Sequence, residues 1–201
     1  MVSAVTLLWE MEMPLTLISP AFPAGGKIPE RYTRDGQNVS PPLKWSGVPD
    51  GAKSLVLVVQ DPDAPSGTFG HWAVFNIPPD ASELAEAQDG KPGPSALRQG
   101  TNDFGNAYYD GPQPPVGHGV HHYHFRLAAL DVPSLSVPGQ AGVQSVWKEA
   151  QKHALEQAEL VGPTHGNAGR VGRRPFYSAA GARGFRAGPW ITVPSAAKIE
   201  P

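Results

Sequence analysis

One stretch of the chain is apolar without interruption: residues 55–59 read Leu-Val-Leu-Val-Val and run into Gln60, Asp61, Pro62, Asp63, Ala64 and Pro65. A continuous apolar run rich in β-branched side chains predicts a strand buried on both faces. Two carboxylates cannot follow it into a dry core without partners, so the strand is expected to end there, opening onto a polar pocket. Elsewhere the pattern has a period of two. Residues 71–77 put His71, Ala73 and Phe75 on one face, with Trp72, Val74 and Asn76 on the other. Residues 121–130 put His121, Tyr123, Phe125 and Leu127 together, opposite His122, His124 and Arg126. Shorter strands are predicted from Leu15 and from Leu43.

A helical period shows once with force. Val143, Trp147, Ala150, Ala154, Ala158 and Val161 form an apolar stripe that predicts a helix over residues 145–161, stopped by Gly162 and Pro163. A helical turn is also expected over residues 82–88, capped by Ser82 or Asp80. Many short strands and one late helix, cut apart by 23 glycines and 23 prolines, predict a mainly-β sandwich.

Composition narrows the function classes. Hydrophobic residues at 40% and charged residues at 17% suit a globular domain of one core. The absence of cysteine excludes disulfides, thiolate nucleophiles and cysteine-ligated zinc. No apolar run approaches the roughly 18 residues of a membrane helix. The apolar patch at residues 5–9 lacks a preceding basic residue and is followed by Glu10 and Glu12, unlike a signal peptide, so a cytoplasmic location is expected. Residues 1–14 read as an extension, 15–166 as the domain, and 167–201 as a basic Gly/Arg-rich tail expected to be disordered. Residues 170–201 carry a formal charge of +5 and the rest −7, which argues against a nucleic-acid-binding core. The tail's arginine, glycine and aromatic content could touch nucleic acid or a membrane surface; an extension without function is the expectation preferred.

The chemistry on offer lies in two histidine strands and one acidic strand end. His71 and His121 could converge near Asp61 and Asp63, where a histidine pair beside glycine-rich loops can bind a phosphate-like anion. A carboxylate would fix one ring's tautomer, and Tyr123 would add an O–H donor. On spacing alone the plainer reading, satisfied polar residues at strand ends, is preferred. A metal shell from His118, His121, His122 and His124 with Asp61 or Asp63 is weakened by alternation, because only His122 and His124 share a face. A serine hydrolase using Ser40 or Ser66 lacks a Gly-x-Ser-x-Gly elbow.

Six segments occur together in a recognisable order: Asn-Val-Ser-Pro-Pro-Leu-Lys-Trp at 38–45, Asp-Pro-Asp-Ala-Pro at 61–65, His-Trp-Ala-Val-Phe-Asn-Ile-Pro at 71–78, Asn-Asp-Phe-Gly at 102–105, Tyr-Asp-Gly-Pro-Gln-Pro-Pro at 109–115, and His-His-Tyr-His-Phe at 121–125. The chain resembles the bacterial and archaeal branch of the phosphatidylethanolamine-binding proteins, the Raf-kinase-inhibitor-like proteins, over residues 15–166. That resemblance implies an antiparallel β-sandwich with Greek-key connections, one helix in the C-terminal region, and a surface pocket for phosphate-type anions or phospholipid head groups. Asp61, Asp63 and Pro65 would form one wall. His71, the turn carrying Gly111, Pro112, Pro114 and Pro115, His121 and Tyr123 would form the rest. The Ala64–Pro65 peptide resembles the family's cis bond. No cofactor, metal or catalytic residue is implied. A regulatory, kinase-inhibitor-like role toward a protein partner follows from the family name, and a histidine- or metal-dependent hydrolase is the alternative. His122 stands where many relatives have arginine; facing outward, it is expected to matter little to the pocket.

Overall fold

In chain order the elements are β1 (Thr16–Ile18), a 3₁₀ turn (Glu30–Tyr32), β2 (Leu43–Ser46), β3 (Ser54–Asp61), β4 (Phe69–Ile77), β5 (Glu83–Leu84), β6 (Arg98–Gln99), β7 (Val120–Leu130), α1 (Val143–Ala150) and β8 (Ala154–His165), seen in a computed structural model that describes residues 13–88 and 97–166. The expectations for residues 1–12 and for the 167–201 tail lie outside the described residues. Among the described residues two antiparallel sheets form, one ordered β1-β2-β5 and one ordered β6-β4-β3-β7-β8.

The uninterrupted apolar run is β3, and every residue of it is buried. Its two faces serve two cores. Leu55, Leu57 and Val59 pack with Trp72, Val74, Phe125 and Leu127 against Leu17, Leu43, Trp45 and Leu84 of the small sheet. Val56 and Val58 pack with Ala73, Phe75 and Ala128 against Val143, Val146, Trp147 and Ala150 of α1. A strand between a sheet and a helix needs apolar side chains on both sides, which is why its sequence shows no alternation.

The long helix predicted over 145–161 is corrected. The helix spans only Val143–Ala150, and Ala154–His165 is an edge strand paired along β7 from Leu130 to Val120. Half of the supposed stripe was alanine, a weak signal that the β7 ladder overrides. Gly162 and Pro163 are strand residues. A Cβ on Gly162 would lie 2.6 Å from Ile28 Cγ1 and 2.9 Å from Phe22 Cε2, so close packing demands glycine there. The carbonyls of Val161 and Pro163 accept the N–H groups of Gly25 and Ile28 on the side away from β7, at 2.8 and 3.1 Å. Pro163 therefore lacks its N–H on the outer edge, where the β7 ladder loses nothing. The helical turn expected over 82–88 is corrected likewise: Glu83 and Leu84 form β5 against β2.

Candidate functional site

A bulge decides where His71 points. Trp72 pairs with Val59 and Gly70 with Gln60, leaving His71 without a partner of its own in the β3–β4 ladder. Alternation resets across that extra residue. Gly70 faces the helix, where a Cβ would meet Val143 Cβ at 2.6 Å, and Trp72 faces the sandwich core. His71 leaves the face of Ala73 and Phe75, contrary to the strict alternation of the sequence. Its ring lies T-shaped to Tyr123 at 5.1 Å and to Phe104 at 5.6 Å, and tilted against Phe69 at 5.1 Å.

Asp61, His121 and Tyr123 occupy the same inner face and are buried. His121 Nδ1 stands 2.7 Å from Asp61 Oδ2. A carboxylate only accepts, so Nδ1 carries the proton and Nε2 is the other nitrogen of the ring. His71 Nδ1 donates in the same way to the Asp110 carbonyl at 2.7 Å. Both rings thus have their Nδ1 fixed by internal acceptors. Each neutral ring has Nε2 as an acceptor, and Nε2 becomes a donor only on protonation.

Asp63 behaves differently from Asp61. Its amide donates to Asp61 Oδ1 at 2.9 Å, while its carboxylate turns to the surface and takes both the main-chain N–H and the Nδ1–H of His122, each at 2.8 Å. These hydrogen bonds hold the Asp63 carboxyl below its ordinary value against a small opposing effect of burial. His122 faces outward as predicted, yet it is bound to one of the expected site residues. Pro65 is exposed in the loop that follows, whereas Gly111, Pro112 and Pro114 are buried and Pro115 half-buried. His124 pairs with Glu159 at 2.8 Å, so the two outward histidines serve separate carboxylates. Among the described residues, no three histidine or acid side chains converge as a metal shell would require.

The residue that sequence reasoning missed is Asp110. Its Oδ1 accepts from Arg34 Nη1 at 2.8 Å and Asn38 Nδ2 at 3.1 Å; its Oδ2 accepts from Asn102 Nδ2 at 2.9 Å and Asn106 Nδ2 at 2.8 Å. Its own amide donates to the His71 carbonyl at 3.2 Å, so Asp110 and His71 exchange two bonds. Next to it, Gly111 packs so tightly that a Cβ would lie 2.1 Å from the Tyr32 carbonyl oxygen. Arg34 lies 3.9 Å over the Phe104 ring. The available signal was a lone carboxylate between Tyr109 and Gly111 in a proline-rich segment, with Asn38 and Asn102 in the other quoted motifs.

Burial pushes the His71 ring below its ordinary 6.5, opposed by its bond to Asp110 and by the negative charges of Asp61, Asp110 and Asp103. The unfolded chain would protonate this ring near 6.5 while the folded one resists, so stability conferred by His71 is full above 6.5 and is lost as pH falls toward the folded value. Melting temperatures at pH 7.5, 6.5 and 5.5 are expected to fall across this range. His71→Asn, which keeps a donor for the Asp110 carbonyl and cannot titrate, is expected to flatten that slope; an unchanged slope would remove His71 as its source.

Comparison with known proteins places the chain among relatives. The family profile described as phosphatidylethanolamine-binding protein matches residues 18–165. The UPF0098 protein of Methanothermobacter thermautotrophicus is 48% identical over 149 residues, 74% of this chain and 97% of the relative. A Mycobacterium tuberculosis protein named as a lipoprotein, LppC, is 44% identical over 153 residues, 76% of this chain and 73% of the relative. The fold also matches the crystal structure of E. coli YbcL, described as a new member of the mammalian PEBP family, with a TM-score of 0.72 and 31% identity over 76% of this chain and 99% of that one.

Proposed function

The chain belongs to the phosphatidylethanolamine-binding protein family, and we propose that it binds a phosphate-type anion, free or as a phospholipid head group, beside His71 and His121. The observation that carries this reading is the pair of buried rings whose Nδ1 atoms are held by Asp110 and Asp61. Protonation of His71 at Nε2 makes a charged donor among Phe69, Phe104 and Tyr123, where an anion gains most. Tyr123 sets its phenol ring T-shaped to His71 at 5.1 Å. Gly111, Pro112, Pro114 and Pro115 supply a rigid wall on the Asp110 side, and Asp63 and Pro65 belong to the loop at the other. Asp61 orients His121 and compensates its charge.

Because an anion recruits the protonated ring, affinity rises as pH falls. Phosphate itself titrates in this range, so sulfate, which does not, is the cleaner probe. Sulfate binding is expected to be several-fold tighter at pH 6 than at pH 8 and to lose most of that gain in His71→Asn. Equal affinities at both pH values and in both proteins would sink the reading. Parallel titrations with phosphate and phosphoethanolamine separate a free anion from a head group.

The His121–Asp61 pair would equally orient a general base, which is what favours a histidine-dependent hydrolase as the second reading. Release of phosphate from phosphoethanolamine, abolished by His121→Ala, would replace binding with turnover. A regulatory, kinase-inhibitor-like role would make the occupied pocket the state a protein partner senses. Among the described residues no helix is long and apolar enough to cross a membrane. A cytoplasmic location is part of the proposal, and cell fractionation tests it against the membrane fraction that the mycobacterial relative's name suggests for that protein.

A further inference from the structure

We infer that His122 is a positioning residue: from outside the sandwich it holds Asp63, and through Asp63 it fixes Asp61 against His121. The inference rests on the anion-site reading for its consequence, and on geometry for its substance.

The β3–β7 ladder ends at the pair Gln60 and His124. Continued by two residues, the same register would set Pro62 opposite His122, and proline has no N–H to give. The chain turns instead, and the Asp63 carboxylate accepts the His122 main-chain N–H in place of a ladder carbonyl. The His122 ring closes a second bond to the same oxygen at 2.8 Å. The Asp63 amide is thereby held on Asp61 Oδ1 at 2.9 Å, and Asp61 Oδ2 meets His121 Nδ1 at 2.7 Å. An unbroken series of bonds therefore runs from an exposed ring to a buried one. The loop's other restraints are a turn bond from the Gly67 amide to the Ala64 carbonyl at 3.0 Å, a bond from Gln144 Nε2 to the Thr68 carbonyl at 2.8 Å and the burial of Ala64, while Pro62, Asp63, Pro65, Ser66 and Gly67 are all exposed. The sequence-based expectation that an outward His122 would leave the pocket untouched overlooked this route.

The experiment compares full-length wild type, His122→Ala and His122→Asn, whose amide nitrogen can take the place of Nδ1. Solvent exchange of the His121 Nδ1–H proton, followed by ¹⁵N-edited NMR, reads the buried end directly. Sulfate titration at pH 6 reads the consequence. In His122→Ala, where the main-chain bond to Asp63 remains, proton exchange is expected to quicken and sulfate affinity to fall, each about threefold, as the loss of one half-exposed charged hydrogen bond allows. His122→Asn is expected to recover most of both, while all three proteins melt within a few degrees because the substituted side chain is half exposed. Unchanged exchange and affinity in His122→Ala would overturn the inference, as would failure of His122→Asn to recover either. If wild type bound no sulfate, the pocket reading would fall, and the His121 proton would still judge His122.

Discussion

Asp110→Ala is expected to lower the stability of the domain by about 3–5 kcal/mol, enough to bring its melting temperature down by roughly 10 °C. The side chain is only 3% exposed and receives four donors, one of them the Arg34 guanidinium. Removal takes the acceptor from the half-buried Asn38 and Asn106 amides and from a cation that leans on Phe104, while the Asn102 amide keeps the Tyr108 carbonyl at 2.9 Å. It also leaves the segment that presents the Asp110 carbonyl to His71 without its anchor. Asp110→Asn tests the reason as well as the size. An amide offers one accepting oxygen, so two of the four donors would confront an NH₂ group, and only part of the loss should return. Thermal melts followed by circular dichroism decide it: an alanine variant melting within about 2 °C of wild type would show that the hub is dispensable.

The second large effect is expected at Asp61. With side-chain exposures of 3% and 2%, Asp61 and His121 form a buried pair, and Asp61→Ala is expected to cost about 3 kcal/mol in urea denaturation. Two donors lose their acceptor at once, His121 Nδ1 and the Asp63 amide. Asp61→Asn again satisfies only one of the two, which makes a carboxylate the residue of choice for a reason independent of any ligand. A loss below about 1 kcal/mol for the alanine variant would mean that water replaces the carboxylate readily and that the site is open at its base.

These two carboxylates also show what the sequence could and could not convey. Asp61 was legible because it terminates a strand whose burial is written in consecutive apolar residues, so its need for a partner followed directly. Asp110 was not, because its partners come from Arg34, Asn38, Asn102 and Asn106, polar residues of two separate connections, one before β2 and one after β6, with no periodicity to bring them into register. His121 and Tyr123 sit where period-two alternation puts them. His71 reached the same face only through a one-residue bulge against Gln60, and a bulge has no reliable signature in a single sequence beyond a glycine such as Gly70. The helix over 145–161 failed for a related reason: alanines fit a helix stripe and a strand equally well, and the choice was made by eleven residues of β7 far away in sequence. The resemblance to known proteins supplied the fold that local pattern had suggested. Only coordinates revealed that Asp63 looks outward to His122.

The turn that brings Gly25 and Ile28 onto β8 has a consequence for how this domain meets other copies of itself. An exposed strand edge is a template, offering unpaired N–H and C=O groups to any extended chain. On the β8 side of the five-stranded sheet, two outward carbonyls are already occupied from within, and Pro163 offers no donor. The opposite margin, β6, is two residues long among the described residues. A foreign strand would therefore find the 161–163 end of the β8 edge already occupied. That local protection sits beside the same Gly162 and Pro163 that, in the sequence, looked like a helix coming to its end.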